Sequence, residues 1–541
     1  MATQTLEHAP RSGAALPKTA ANAVGEALIP YRWIILIGLV LAAIMEVLDT
    51  TIVNVALPTM AGNLDCTTDE IAWVSTAYIL ANVVVLPMTA WLAHRFGTKQ
   101  YLIASMSGFL VASVLCGLSH SLGEIVLWRL VQGAAGASLI SLTQSTILQV
   151  FPKNQQDMVT GIWGLGIIVA PTVAPAFGGW LVDNYSWPWI FFVNIPIAFA
   201  AIFLVWTFLP GSQRDSRAGR VDYLGILLLA AGLGSIQYVL EEGNRNDWFS
   251  DLWILRLTIL GSLALIAFIV WELSPRNRSP IVDLRVLKDS SLAAGTGLSL
   301  ILGFGLYAGL YLFPIFSQGI LGYTPTKTGL ALLPGGAATG FGMIFCGAVM
   351  GRGVQPRGLV IFGMVTFIYS QWLLGHLSSQ STDAYIGMAL FVRGFSFGFL
   401  FIPIAAAALA GLKGLQIPQG AALTGLARQL GGSFGIAIAS TYISHMVAFH
   451  RTNLIAHLYS GSTALADRLQ GTAQMLIGKG ADPTTAQAAA LKLLDGSVQV
   501  QTYTMSVNDA FLLIVVIFVV AFPSVFLLKR AAPGAAAAGA H

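Results

Sequence analysis

Long apolar segments fill most of this sequence, and a chain that has so many of them has few places to put them. About 20 apolar residues in a helix cross the hydrocarbon core of a bilayer. A pass along the 541 residues finds fourteen such segments: 33–57, 71–93, 100–119, 122–150, 159–182, 188–209, 222–240, 252–272, 292–317, 326–350, 358–378, 384–411, 420–447 and 508–528. The chain is 56% hydrophobic and 10% charged, with a mean hydropathy of +0.74. Soluble domains run about 45–50% apolar and about 25% charged. The expected fold is therefore an all-α polytopic membrane protein.

Lys and Arg orient the spans, because cytoplasmic loops concentrate them. With both termini inside, 18 of the 28 fall in cytoplasmic segments, three in short outer loops and four in the long outer segment 448–507. The remaining three, Arg129, Arg393 and Arg428, lie inside spans. This alternation predicts a multi-pass membrane protein with both ends cytoplasmic. Residues 1–30 and 530–541 read as disordered tails, with no secretory signal before Tyr31.

Several chemistries are excluded. Cys66, Cys116 and Cys346 have no CxxC spacing, and the eight histidines include no i, i+4 pair, so neither a disulfide framework nor a metal site is expected. No phosphate loop of the GK[ST] type occurs, and "GFGLYA" from Gly303 lies mid-span and reads as helix packing. No cofactor is expected.

Against this background "LVLAAIMEVLDTTIVNVALPTM" (39–60) stands out, because it places Glu46 and Asp49 deep in an apolar run. Each carboxylate near a bilayer centre costs about 2.5–3.5 kcal/mol. A protonated acid is far cheaper to hold there, and a nearby Arg favours the charged form instead. A group poised between the two can take a proton from one side and release it to the other. Asp49 is the main proton-coupling candidate. Glu46 is either a second proton site or a ligand for cationic substrate.

Weak internal symmetry supports two six-helix halves, since "LWRLVQGAAG" in the fourth span has a counterpart, "LFVRGFSFG", in the twelfth. Such repeats are a transporter signature, with the substrate site between them. The expected organisation is residues 31–209, two inserted helices within 210–290, and 291–529 including the outer segment 448–507. In that segment, "DPTTAQAAALKLLDG" predicts a short helix capped by Asp482, with Pro483 first and Gly496 as its stop.

Four stretches resemble motifs of the fourteen-helix drug:proton antiporters of the major facilitator superfamily, the EmrB/QacA-like group. They are "LDTTIVNVALP" (48–58), "AWLAHRFGTKQYL" (90–102), "LWRLVQGAAGASL" (127–139) and "GIIVAPTVAPAFGG" (166–179). The first, extended through "TMAGNL", and the large outer segment look more EmrB-like. The resemblance implies export driven by the proton gradient, of lipophilic drugs or similar amphiphiles. It also implies a periplasmic adaptor linking the pump to an outer-membrane channel. Arg129 is implied to tune the carboxylate and hold the proton relay. Arg95, Gly97 and Lys99 belong to the conformational latch of the loop motif. Ala90 and His94 depart from the family's Gly and Asp there, which leaves a neutral variant, a weaker latch or a pH-sensitive one.

Gly166, Ala170, Ala174 and Gly178 recur every four residues as a small-residue stripe for close helix contact. Pro171 and Pro175 remove backbone donors and bend the helix, and Gly178–Gly179 end the motif. By resemblance this stripe pairs the fifth span with the tenth and seals the external gate. Thr50, Asn54, Gln132, Tyr307, Tyr311, Gln318 and Arg393 are expected to face a substrate cavity. A proton symporter for uptake is the competing transporter reading. A membrane enzyme or sensor using the carboxylates is the competing class. Among exporters, fatty acids, bile-salt-like amphiphiles and siderophores stay open as substrates.

Overall fold

The computed structural model describes residues 31–211, 221–277, 280–412, 416–458 and 463–528. The expected tails, 1–30 and 530–541, lie outside the described residues. The longer helices are α1 (Arg32–Asn63), α2 (Trp73–Val85), α3 (Thr89–Phe96), α4 (Thr98–Gly117), α5 (Leu122–Gly136), α6 (Leu139–Val150), α7 (Lys153–Asn184), α8 (Asn194–Phe208) and α9 (Tyr223–Glu242). There follow α10 (Leu252–Leu273), α11 (Ser290–Gly319), α12 (Pro325–Gly351), α13 (Pro356–Leu374), α14 (Asp383–Leu409), α15 (Gln416–Ala456), α16 (Thr463–Gly478) and α17 (Pro483–Ala521). No strand occurs among the described residues. That suits a chain in lipid, where a helix satisfies its backbone within one segment.

Thirteen passes are long and apolar enough to cross a membrane on length and hydropathy alone. The fourteenth, α7, has 32 residues, and among those whose side chains are described Met158–Ile167 form an apolar stretch. An even number of passes returns the chain to the side it started from, called here the terminal side. Two passes are broken near their middles. The second is α2 and α3 joined by a 3-10 turn, Leu86–Met88, with Pro87 inside it, and the fourth is α5 and α6 joined at Ala137–Ser138. Gly97, between α3 and α4, has φ +87°, a conformation that glycine adopts without strain.

Within the first six passes, α1 packs on α7 and α8, and α2 on α5. Within the last six, α12 packs on α14 and α11 on α15. The inserted pair α9 and α10 lies outside both sets. Gln237 donates to Ser433 Oγ at 2.8 Å and Trp248 to Thr441 Oγ1 at 2.9 Å, which seats α9 and its following turn against α15. The outer face of α10, including Leu263 and Val270, is left exposed for lipid.

The two sets of six meet toward the terminal side. There α15 packs on the Leu86–Met88 turn, α3 and α6, and α7 packs on α12. A Cβ added at Gly340 of α12 would lie 1.9 Å from Leu165 of α7, and one at Gly164 would lie 2.5 Å from Met343. Toward the far side, Asn54 and Gln318 are exposed. The bundle is thus closed on the terminal side. Gly340→Leu should wedge this closure open. Cysteines placed at the terminal-side contact should then gain reactivity with a soluble thiol reagent, and unchanged reactivity would mean that the contact is not the closure.

The outer segment differs from its expected form. Helix α15 runs nine residues past 447, to Ala456, and α17 passes through Gly496 without stopping. Asp482 does cap α17, and Pro483 is its first residue. Gly496 does not end the helix, which continues through it into the apolar run that starts at Ala510. At 39 residues, α17 is about 58 Å long, well beyond an about 30 Å core. Helix α16 folds back on its projecting end through Leu469, Ala473, Ala486 and Ala490. Arg451–Asp495 (2.7 Å) and His450–Asp509 (2.7 Å) tie the extension of α15 to α17. Donors from Thr484 hold the Asp482 carboxyl below its ordinary range.

Candidate functional site

Asp49 of α1 is fully buried, and its carboxylate is met by three side chains from two other helices. Arg129 Nη1 of α5 lies 2.5 Å from Oδ2, Gln132 Nε2 donates to Oδ1 at 2.9 Å, and Asn194 Nδ2 of α8 donates to Oδ1 at 3.1 Å. Arg129 also donates to the Val74 carbonyl at 2.9 Å and to Gln132 Oε1 at 2.9 Å. Its guanidinium lies 4.2 Å from the centre of the Tyr78 ring. Asn194 is itself held by Ser113 at 3.0 Å, and Ser113 donates to the Phe191 carbonyl at 2.9 Å. A buried carboxylate is tolerated when it is both paired and hydrogen-bonded, and both conditions hold here.

Local sequence explains the placement. Arg129 and Gln132, three residues apart on α5, share a face, and Gly133 lets that face approach α2, since a Cβ there would lie 2.2 Å from the Tyr78 carbonyl oxygen. Asn194 begins α8 straight after the buried Trp187, Ile190 and Phe191.

Glu46 has separate surroundings one turn away. Its Oε1 accepts from Asn82 Nδ2 at 3.1 Å, and its Oε2 accepts from the Ile140 backbone N–H at 3.1 Å. The break between α5 and α6 frees that N–H, because the first amides of a helix lack partners within it, and a carboxylate suits a helix N-terminus. Glu46 also lines a cavity of about 40 Å³ between the two sets of six, with Leu86, Ile140 and Ser141 on one side and Tyr307, Gly425 and Arg428 on the other. That volume holds water-sized molecules.

Two residues expected on the cavity wall lie elsewhere. Gln132 is fully buried in the Asp49 cluster, because its amide completes the charge pair. Arg393 is buried among α11, α13 and α14 and donates to the Gly309 carbonyl at 3.1 Å, where glycine leaves room for the guanidinium. Tyr307 reaches the cavity, while Tyr311 is half-buried nearby on α11. Thr50 donates back to the Val47 carbonyl, and Asn54 accepts from Ser75. Gln318 is exposed at the far end of α11.

The small-residue stripe also faces differently from expectation. A Cβ at Gly166 would meet Ile44 and Val40, and one at Gly178 would lie 2.5 Å from Ile52, so the stripe packs on α1. Ala170 and Ala174 are buried between them, and Gly179 lies near Val55. The contact with the tenth pass, α12, uses another face of α7, bearing Gly161, Gly164 and Leu165. Two helices claim α7 on different faces, and the four-residue spacing serves the first. Helix α7 runs unbroken through Pro171 and Pro175, whose side chains fall outside the described residues. In the loop motif, Lys99 donates to the Leu209 carbonyl at 2.6 Å, closing the end of α8, and Arg95 lies over the Trp91 ring.

Asn194, Ser113, Asn82 and the Ile140 N–H are site groups that the sequence reading missed. The one signal for the two asparagines was a lone amide in each of two apolar runs, "LANVVV" and "FFVNIP".

Residues 39–436 match the family model described as the Major Facilitator Superfamily. The chain belongs to the Major Facilitator Superfamily. It is a transporter rather than an enzyme, and its relatives place it in the EmrB-like group of the superfamily. It is 33% identical to the fatty acid resistance protein FarB of Neisseria gonorrhoeae over 508 residues, covering 92% of this chain and 96% of FarB. It is 34% identical to the multidrug export protein EmrB of Escherichia coli K12 over 426 residues, covering 78% of this chain and 82% of EmrB. The human organic anion transporter MFSD10 has the same superfamily fold at 13% identity, with a TM-score of 0.55 over 91% of this chain and 99% of that one.

Proposed function

We propose that this transporter exports lipophilic drugs or similar amphiphiles from the cytoplasm in exchange for protons. The observation that carries the reading is the buried Asp49–Arg129 pair, braced by Gln132 and Asn194. A proton on Asp49 removes the charge that Arg129 neutralises, so protonation reorders contacts among α1, α5 and α8. Binding energy that differs between two conformations is what a coupled transporter needs. The relatives' names, multidrug export and fatty acid resistance, support an exporter. The Lys and Arg distribution supports a cytoplasmic terminal side. No cofactor enters, and the proton gradient is the energy source.

The test compares a strain carrying the gene with its deletion across chemically varied toxins. Carriage should raise resistance to several lipophilic compounds, and a protonophore should stop efflux of a fluorescent cation. Resistance that survives the protonophore would contradict antiport.

We also propose that the projecting end of α16 and α17 docks a periplasmic adaptor that leads to an outer-membrane channel. Leu491, Leu493 and Met475 are each half or more exposed on it, and an exposed apolar patch is a common sign of a protein contact. Replacing these three with Ser should spare drug binding by the purified protein. It should abolish adaptor co-purification and resistance in Gram-negative cells. Full resistance in the triple variant would favour a single-component exporter.

A further inference from the structure

The three arginines inside the membrane bundle are held very differently. Arg129 has Asp49, Gln132 and the Val74 carbonyl, and Arg393 has the Gly309 carbonyl. Arg428 of α15 makes no hydrogen bond or ion pair among the described residues, and its guanidinium has only the Phe401 ring, 4.8 Å away. It lines the cavity between the two sets of six together with Tyr307, Ser141 and Gln429, with Glu46 on the opposite wall.

The backbone at Arg428 is held closely, since a Cβ at Gly303 of α11 would lie 1.9 Å from its carbonyl oxygen. The side chain therefore projects from a fixed point into that cavity. Phe401 stacks on one face of the guanidinium and leaves its edge N–H donors free. A guanidinium presents those donors in a fork that matches a carboxylate. An unpaired cation inside a membrane bundle is costly and marks a ligand path by default. Glu46 faces it across the cavity but makes no ion pair with it, both Glu46 oxygens being turned to Asn82 and the Ile140 N–H.

We infer that Arg428 anchors the acidic head of an amphiphilic carboxylate in this cavity, a long-chain fatty acid being the simplest member of the class. Ser141, Tyr307 and Gln429 supply further polar contacts around the head. The inference deepens the exporter reading by naming the substrate's head group, and rests on that reading only for transport.

The experiment uses the full chain in lipid nanodiscs, with empty nanodiscs as background, and two probes of one chain length, dodecanoate and dodecanol. Wild-type protein should bind dodecanoate about tenfold or more tightly than dodecanol, as expected for a charge-assisted bidentate contact. Arg428→Gln should erase that preference and leave dodecanol binding unchanged, and Arg428→Lys should restore part of it. Equal affinities in the wild type would overturn the inference. So would an unchanged preference in the Gln variant, or loss of both probes in the Gln and Lys variants. Arg428-dependent dodecanoate binding without gradient-driven export would instead leave the anchor standing and sink the exporter reading.

Discussion

Arg129→Met should be the most damaging single substitution in this transporter. Removing one member of a buried, hydrogen-bonded ion pair costs about 3–5 kcal/mol, because the partner charge is left uncompensated. Arg129 is 1% exposed and Asp49 0%, so no water stands ready to take over. The substitution also strips donors from the Val74 carbonyl and Gln132 Oε1 and empties the space beside the Tyr78 ring. Little folded protein should survive mild heating in size-exclusion traces. Adding Asp49→Asn to Arg129→Met should recover much of that stability, since no unpaired charge remains, but should not recover transport. If the double variant is no more stable than Arg129→Met alone, the pair is not what makes Arg129 necessary.

Asp49→Asn alone should cost less stability than Arg129→Met, because Arg129 keeps other partners, and should lose the function. A neutral group at this position is a state the proposed cycle itself passes through, and the Asn oxygen can still accept from Gln132 and Asn194. Arg129 keeps the Val74 carbonyl, Gln132 and the Tyr78 ring. The purified variant should bind substrate and elute as wild type. Cells carrying it should retain a fluorescent cation that wild-type cells drain. Efflux at the wild-type rate would remove Asp49 from the coupling step.

The charged part of the site was legible in the sequence, and the amide part was not. Asp49, Glu46 and Arg129 stand out because a charge inside an apolar run is costly wherever it points. A lone Gln or Asn carries a smaller penalty, and its direction depends on how the helix is rotated against its neighbours. Gln132 accordingly read as a cavity residue and is buried beside Asp49, while Asn194 gave too weak a signal to be noticed. Arg393 shows the limit for charges as well, because its partner is the backbone carbonyl of Gly309, where the missing side chain leaves room for the guanidinium, and no side-chain pattern announces that.

Helix partners show the same limit. The four-residue spacing from Gly166 to Gly178 announces close packing on one face, but α1 and α12 both compete to fill such a face. Tertiary arrangement decides which of them gets it. Gly496 read as a helix stop because glycine is common there, yet register continuing into the final pass overrides that local preference.

Proteoliposomes holding purified wild-type or Asp49→Asn protein test the coupling claim most directly. With an acidic interior and a substrate outside, wild-type vesicles should accumulate substrate above its external concentration. A trapped pH dye should report faster loss of the gradient when substrate is added. Asp49→Asn vesicles should show neither response, while still binding the substrate. Uphill accumulation by Asp49→Asn at the wild-type rate, with substrate-dependent proton loss, would contradict the assignment of Asp49 as the proton-coupling residue.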